Sequence, residues 1–232
     1  MTATVEMPFT GDAETPREAA ARRCMTVDDL PPLNFAPSHA WPVPDAAACH
    51  ALWDRYAMPD HIRAHSSMVA EMAMALARAA MATRTGADLH LPSVLASALL
   101  HDIAKAYTIR HGGNHAQLGG AWTLHETGNP HIAQGVMHHV HWPWRVDVTV
   151  TEWFLPLIII YADKRVKHDR LVTLEERFDD LVERYGRTER IRERIRESHE
   201  QAVDIERALS ERLGVALHDA APRDGELAVN AD

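Results

Sequence analysis

Residues 98–105 read ALLHDIAK and close the apolar stretch LPSVLASALL with an imidazole, a carboxylate and an ammonium group. The periodicity predicts one continuous buried helix over PSVLASALLHDIAKAY, with Pro92 in its first turn. An unpaired charge in such a helix costs several kcal/mol, which is comparable with the stability of a whole domain. Other parts of the chain must therefore supply partners for His101, Asp102 and Lys105.

The composition narrows the class of protein. The chain has 232 residues, of which 46% are hydrophobic, and a net charge of −9. It can bury one sizeable core, and its negative charge argues against nonspecific partners such as nucleic acids or anionic membranes. The apolar run WFLPLIII is far shorter than the ~20 residues of a membrane span. No secretory signal or cysteine framework is visible, so we expect a cytoplasmic protein.

Helical periodicity dominates from Asp45 onward and predicts an all-α fold. Residues 1–44 hold seven of the 13 prolines and predict a mostly disordered arm. A helical domain follows over residues 45–186, with a buried helix at WFLPLIIIYADKRV. Residues 187–217 predict an amphipathic helix that packs on this domain or, alternatively, joins two copies in a homodimer. Residues 218–232 predict a disordered tail.

Histidines are concentrated in the helical domain, since 12 of the 16 fall between His50 and His141. Helical phase separates those that face inward from those on the surface. His65 lies on the same face of its predicted helix as Ile62. His139 lies on the same face of its predicted helix as Ile132 and Val136. The opposite, polar stripe is predicted to hold His131, Gln134, His138 and His141.

The inward positions define one set of candidate ligands. His115 opens a helix whose next turn contains Gly119 and Gly120, and Asp163 ends an apolar run. The complete set is His65, His101, Asp102, His115, His139 and Asp163. Four imidazoles and two carboxylates suit iron, manganese or zinc, and they exceed what one tetrahedral ion needs. Two divalent ions bridged by a carboxylate and a hydroxide would use all six.

These residues, in this order, resemble the HD superfamily of metal-dependent phosphohydrolases. The segments HDIAK, NHAQLGGA, GVMHHV and YADKRV look like its six-ligand branch of small bacterial HDIG-type hydrolases and symmetric bis(5′-nucleosyl)-tetraphosphatases. The similarity covers roughly residues 45–186 and implies a helical bundle with two metals at its centre. The chain reads ADKRVKHD where the tetraphosphatases read ADYIEPGR, and lacks their HT after GVMH, so nucleotide specificity does not carry over. It also lacks the GYP signature of the cyclic-di-GMP phosphodiesterases.

The resemblance implies hydrolysis of a phosphate ester or anhydride in a nucleotide or small phosphorylated metabolite. Metal-bound hydroxide would attack phosphorus, with iron or manganese, or alternatively zinc, nickel or magnesium, as the metal. It gives Asp102 and Lys105 catalytic roles, with Lys105 holding a phosphate oxygen or, alternatively, pairing with Asp102. Lys164 and Arg165 are candidate substrate contacts or surface residues. The competing functions are an HD-type diiron oxygenase and a non-catalytic signalling domain.

Overall fold

The computed structural model describes residues 38, 40–83, 89–141, 154–223 and 225–229. The described residues all belong to one compact unit within residues 34–232. The disordered arm predicted over residues 1–44 therefore lies almost wholly outside the described part of the chain.

The described chain is mostly helical, as its periodicity predicted. The helices are α1 (Ala46–Arg55), α2 (Asp60–Ala82), α3 (Leu91–Leu100), α4 (Lys105–His111), α5 (His115–Thr127), α6 (Pro130–Met137), α7 (Phe154–Lys164), α8 (Leu174–Tyr185) and α9 (Glu189–Leu213). Two antiparallel hairpins pair β1 (Val166–Lys167) with β2 (Arg170–Leu171), and β3 (Ala220–Arg223) with β4 (Glu226–Val229). Within the described ranges, no helix is long and apolar enough to cross a membrane.

Side-chain caps fix where several helices begin. The Asn114 carboxamide oxygen accepts hydrogen bonds from the first turn of α5, and Asn129 does the same for α6. Thr173 and Glu176 form the predicted capping box of α8. Gly128 ends α5 in the left-handed conformation, at φ 63°, which glycine adopts without a steric penalty. These local signals place the first residues of α5 and α6 close to the candidate ligands.

Helix α7 lies at the centre of the domain, and all of its residues are buried. A helix that is apolar on every side must be surrounded by other elements, and α2, α3, α6 and α9 pack around it. Helix α9 contributes Ala202, Ile205 and Leu209 to this core, whereas Ile191 near its start is 37% exposed. The central helix carries Asp163 at its carboxyl end into the middle of the bundle.

The predicted continuous helix through HDIAK is interrupted. Helix α3 ends at Leu100, and residues 101–104 form turns before α4 begins. The Ile103 amide donates to the Leu100 carbonyl at 3.0 Å, and the Lys105 amide to the Asp102 carbonyl at 2.9 Å. These three-residue turns wind more tightly than an α-helix. His101 and Asp102 are both buried where the regular helix is interrupted.

The predicted disordered tail over residues 218–232 is wrong for most of its length, because β3 and β4 form a hairpin that packs on α2. The Arg165 side chain stabilises the segment at the start of this hairpin. The buried Arg165 guanidinium donates to the carbonyl oxygens of Leu217, of His218 at 3.3 Å and of Ala220 at 3.2 Å. Five planar donors allow one arginine to satisfy several carbonyls. These partners are about 50 residues away in sequence, so local composition did not reveal them.

Replacement of Arg165 by lysine tests this structural role. Arg165→Lys retains the charge but loses the planar fork that satisfies several carbonyls. We expect the free energy of unfolding to fall by about 1–3 kcal/mol, with faster amide exchange in residues 217–229. Chemical denaturation and hydrogen exchange measure the two effects. Arg170→Lys, at an exposed position in β2, should change neither quantity, and equal losses in both variants would contradict the assignment.

Candidate metal centre

The structure brings the six predicted ligands together in the interior of the domain. They come from α2 (His65), the turn after α3 (His101 and Asp102), the start of α5 (His115), the turn after α6 (His139) and the last turn of α7 (Asp163). All are buried except His115, which is partly exposed. Five separate segments therefore converge on one small volume.

Asp102 lies between two pairs of imidazoles. Its Oδ2 atom is 3.4 Å from His101 Nε2 and 3.8 Å from His65 Nε2. Its Oδ1 atom is 3.5 Å from His115 Nε2 and 3.7 Å from His139 Nε2. Each oxygen of this carboxylate thus faces a different pair of histidines.

Asp163 completes the first of these groups. Its Oδ1 atom is 3.0 Å from His65 Nε2 and 3.8 Å from His101 Nε2. The potential ligand atoms of His65, His101 and Asp163 lie within 4.8 Å of one another, as do those of His101, Asp102 and His139. The two imidazoles that face Asp102 Oδ1 are close to each other, with His115 Nε2 and His139 Nε2 3.1 Å apart.

Backbone carbonyls fix the orientation of three rings. The Nδ1 atoms of His65, His101 and His139 lie 2.9, 2.7 and 2.6 Å from the carbonyl oxygens of His168, Ala98 and Val136, respectively. A carbonyl oxygen can only accept, so each Nδ1 carries the proton. With the proton on Nδ1, the Nε2 atom of a neutral ring is an acceptor, and the Nε2 atoms of these rings lie near carboxylate oxygens. Such a convergence of acceptors requires a cation or a proton between them.

Two buried atoms of the cluster lack the partners that buried polar groups usually have. Within the described residues, His101 Nε2 and Asp102 Oδ1 have no hydrogen-bond partner. Buried polar atoms are nearly always satisfied, and both atoms belong to the cluster. Imidazole nitrogen and carboxylate oxygen are ligand atoms that bind iron, manganese and zinc. The residues present could therefore hold a metal ion.

Nearby charges keep the carboxylates ionised. Burial would raise the pKa of Asp102, but Lys105 and His101 hold it well below its usual range. The pKa of Asp163 is also well below its usual range, because Lys164 and His65 outweigh burial. Burial, together with the charges of neighbouring histidines, lowers the pKa of His139. At neutral pH the cluster thus presents anionic oxygens and at least one neutral imidazole, which are the forms that bind metal.

The polar stripe predicted for α6 is not at the surface. His131, Gln134 and His138 are all buried, because α3, α5 and α7 pack on different sides of this short helix. His139 reaches the cluster from a turn two residues beyond the end of α6. The inward assignment of His139 agrees with the structure, but the helical phase argument that excluded its neighbours from the interior was wrong.

The cluster forms the floor of a cavity of about 340 Å³, which Lys105 and Lys164 also line. Arg165 is not among the lining residues, because its guanidinium holds the chain after α9. It is therefore not placed to contact substrate, contrary to the sequence prediction. The other lining residues are His61, Ile62, Ile109, Val140, His168, Arg177, Leu181, Arg184 and Tyr185.

The sequence contains a helical pattern among the residues that α8 contributes to the cavity lining. Arg177, Leu181 and Arg184 are spaced by four and three residues on α8, which places them on one face. Arginines on an amphipathic helix ordinarily belong to its solvated face. Only the packing of α8 over the cluster shows that this face borders a cavity.

No family model, curated protein or solved structure matches this chain. The functional argument consequently depends on the geometry of the cluster and on the motifs themselves.

His138 and His139 offer a matched pair of variants. We expect His139→Ala to weaken binding of a second metal ion by roughly 10- to 100-fold, because its Nε2 faces Asp102 Oδ1. His138→Ala should retain the wild-type metal content, since His138 is not in the cluster. Metal analysis of both purified variants after equilibrium dialysis gives the answer. Loss of metal from His138→Ala alone would require the two assignments to be exchanged.

Proposed function

We propose that this chain is a dinuclear metal-dependent phosphohydrolase. The observation that carries the proposal is the position of Asp102, whose two oxygens face separate pairs of imidazoles. A carboxylate shared between two cations is suited to the paired metal sites of phosphoryl-transfer enzymes. The resemblance of the ligand order to the HD superfamily supports the same function.

The two groups of ligands divide between two ions. His65, His101, Asp163 and Oδ2 of Asp102 would hold one ion, and His115, His139 and Oδ1 of Asp102 the other. Iron and manganese suit this set, with zinc, nickel and magnesium as alternatives. Bound there, a pair of divalent cations acidifies water and neutralises negative charge on a phosphoryl group.

Lysines supply further positive charge at the mouth of the site. Lys105 Nζ is 2.6 Å from Asp102 Oδ2, and Lys164 Nζ is 2.6 Å from Asp163 Oδ2. Where metal cations neutralise these carboxylates, the ammonium groups are free to hold phosphoryl oxygens. The chain has only three lysines among its 24 basic residues, and the third, Lys167, pairs with Asp180 on α8. A protein of net charge −9 therefore places two of its three lysines in the lining of one cavity.

The size of the cavity favours a small substrate. Its volume of about 340 Å³ lies within the range of roughly 300–1,000 Å³ that is usual for small-molecule sites. The ligands lie at its floor, so a phosphoryl group would enter first and the organic portion would remain near the rim. This geometry suits a nucleotide or a small phosphorylated metabolite.

Metal content and product analysis test the function together. We expect two metal ions per chain and oxygen-independent hydrolysis of at least one compound among dinucleoside polyphosphates, cyclic nucleotides, nucleoside monophosphates and sugar phosphates, with the products identified by chromatography. Asp102→Ala should abolish this activity and empty at least one metal position, because the neighbouring residues offer no substitute for its two oxygens. Two retained ions with normal turnover would contradict the proposal. Substrate-dependent oxygen consumption without hydrolysis of a phosphate ester or anhydride would identify an oxygenase instead.

Lys105→Ala separates substrate binding from metal binding. We expect wild-type metal content and a loss of roughly 10²- to 10³-fold in kcat/KM, the scale for removal of one group that stabilises developing charge. Arg110→Ala is the matched control, because Arg110 lies on the same helix, is exposed and does not line the cavity. Loss of metal in Lys105→Ala would assign this lysine to maintenance of the cluster.

A further inference from the structure

Arg177 is a buried cation that the metal cluster does not use. It lies on α8, is 9% exposed and lines the cavity together with Leu181 and Tyr185. An arginine guanidinium carries five N–H donors and stays charged at any physiological pH. Its burial therefore has to be balanced by acceptors or by negative charge.

The described residues do not provide that balance. Among them, Arg177 Nε has no hydrogen-bond partner. The Arg177 Nη1 atom approaches Asp180 Oδ2 at 3.6 Å, which is beyond the range of a good N–H···O hydrogen bond. The guanidinium therefore borders the cavity with its donors largely unused.

The Asp180 carboxylate cannot neutralise all of the cations that surround it. This carboxylate is also 3.2 Å from Lys167 Nζ and 3.5 Å from Arg184 Nη1. Three cations thus share one carboxylate, which can neutralise only one of them.

Arg177 and Lys105, the lysine assigned to the reacting phosphoryl group, line the same cavity. A group held by Arg177 would then lie beside a group held by the metals and Lys105.

We propose that Arg177 binds a second anionic group of the substrate, adjacent to the reacting phosphoryl group. This inference rests on the proposed phosphohydrolase function and narrows its substrate class. The site would select compounds with two neighbouring phosphoryl groups over compounds with one isolated phosphate. The planar fork of arginine matches two oxygens of a phosphoryl group. Leu181 and Tyr185 provide apolar surface at the same wall for the organic portion of the substrate.

Non-hydrolysable probes test this selectivity by binding rather than by turnover. Calorimetry on the manganese-loaded protein would compare methylenediphosphonate with methylphosphonate. We expect the wild type to prefer the diphosphonate, and Arg177→Met to weaken diphosphonate binding by roughly 10- to 100-fold with little change for methylphosphonate. Arg187→Met, at an exposed position outside the cavity, is the control and should retain the wild-type preference. An unchanged ratio of affinities in Arg177→Met would overturn the proposal.

Thermal unfolding without ligand distinguishes an anion-binding arginine from a structural one. Arg177→Met should retain or raise the unfolding midpoint, because it removes a buried charge that lacks hydrogen bonds. A lower midpoint would indicate that Arg177 stabilises the fold, which contradicts the proposal. If Arg177→Met does not fold, the ratio of the affinities for the two phosphonates is measured in Arg177→Lys instead. Lysine lacks the fork, so the diphosphonate preference should fall, and an unchanged preference would refute the role.

The two proposals can fail separately. Absence of hydrolysis of every compound tested, with diphosphonate binding that still depends on Arg177, would refute the phosphohydrolase function and retain the anion site. Hydrolysis with equal affinity for the two phosphonates would refute the anion site and retain the phosphohydrolase function.

Discussion

The Asp102 carboxylate is 1% exposed, and the arrangement of the domain around it follows from that burial. An ionised carboxylate removed from water requires several donors or cations. Lys105 supplies one, while four imidazoles from separate segments approach its two oxygens. These contacts require α2, α3, α5 and α6 to meet around one point, with α7 delivering Asp163 to the same place. The packing of the bundle and the metal centre are consequently two aspects of one constraint.

Helix ends give the cluster its rigidity. The last carbonyls of a helix lack partners within that helix, and two of the histidines use them. His101 donates to Ala98 at the end of α3, and His139 donates to Val136 at the end of α6. Each ring satisfies a carbonyl three residues earlier and at the same time directs its Nε2 atom inward. His65 lies within a helix and instead uses the carbonyl of His168, in a turn where that residue has a φ of 58°.

Sequence reasoning selected the candidate ligands because each is a polar residue at the end or on the stripe of an apolar segment. That signal is local, as are the caps at Asn114, Thr173 and Gly128. The errors occurred where packing between distant segments decides the outcome. Nothing near residue 218 indicates that the Arg165 side chain will donate to the His218 carbonyl. The sequence pattern of α6 likewise does not indicate that three other helices cover this helix. The interruption of the HDIAK helix was missed because residues 98–105 have good helical periodicity.

Both proposed binding functions follow from one physical criterion, which is a buried polar atom without a partner. Whether that atom is a hydrogen-bond acceptor or a donor distinguishes the two functions. At the cluster, the unsatisfied atoms His101 Nε2 and Asp102 Oδ1 are acceptors, so they call for a cation. On α8, the unsatisfied atom is the Nε donor of Arg177, so it calls for an anion. Each would be unfavourable in a domain with no ligand, since stability is lost wherever a charge is buried without compensation. Asp102 and Arg177 line the same cavity, so a single complex of metal cations and phosphoryl anions would supply partners of both charges there.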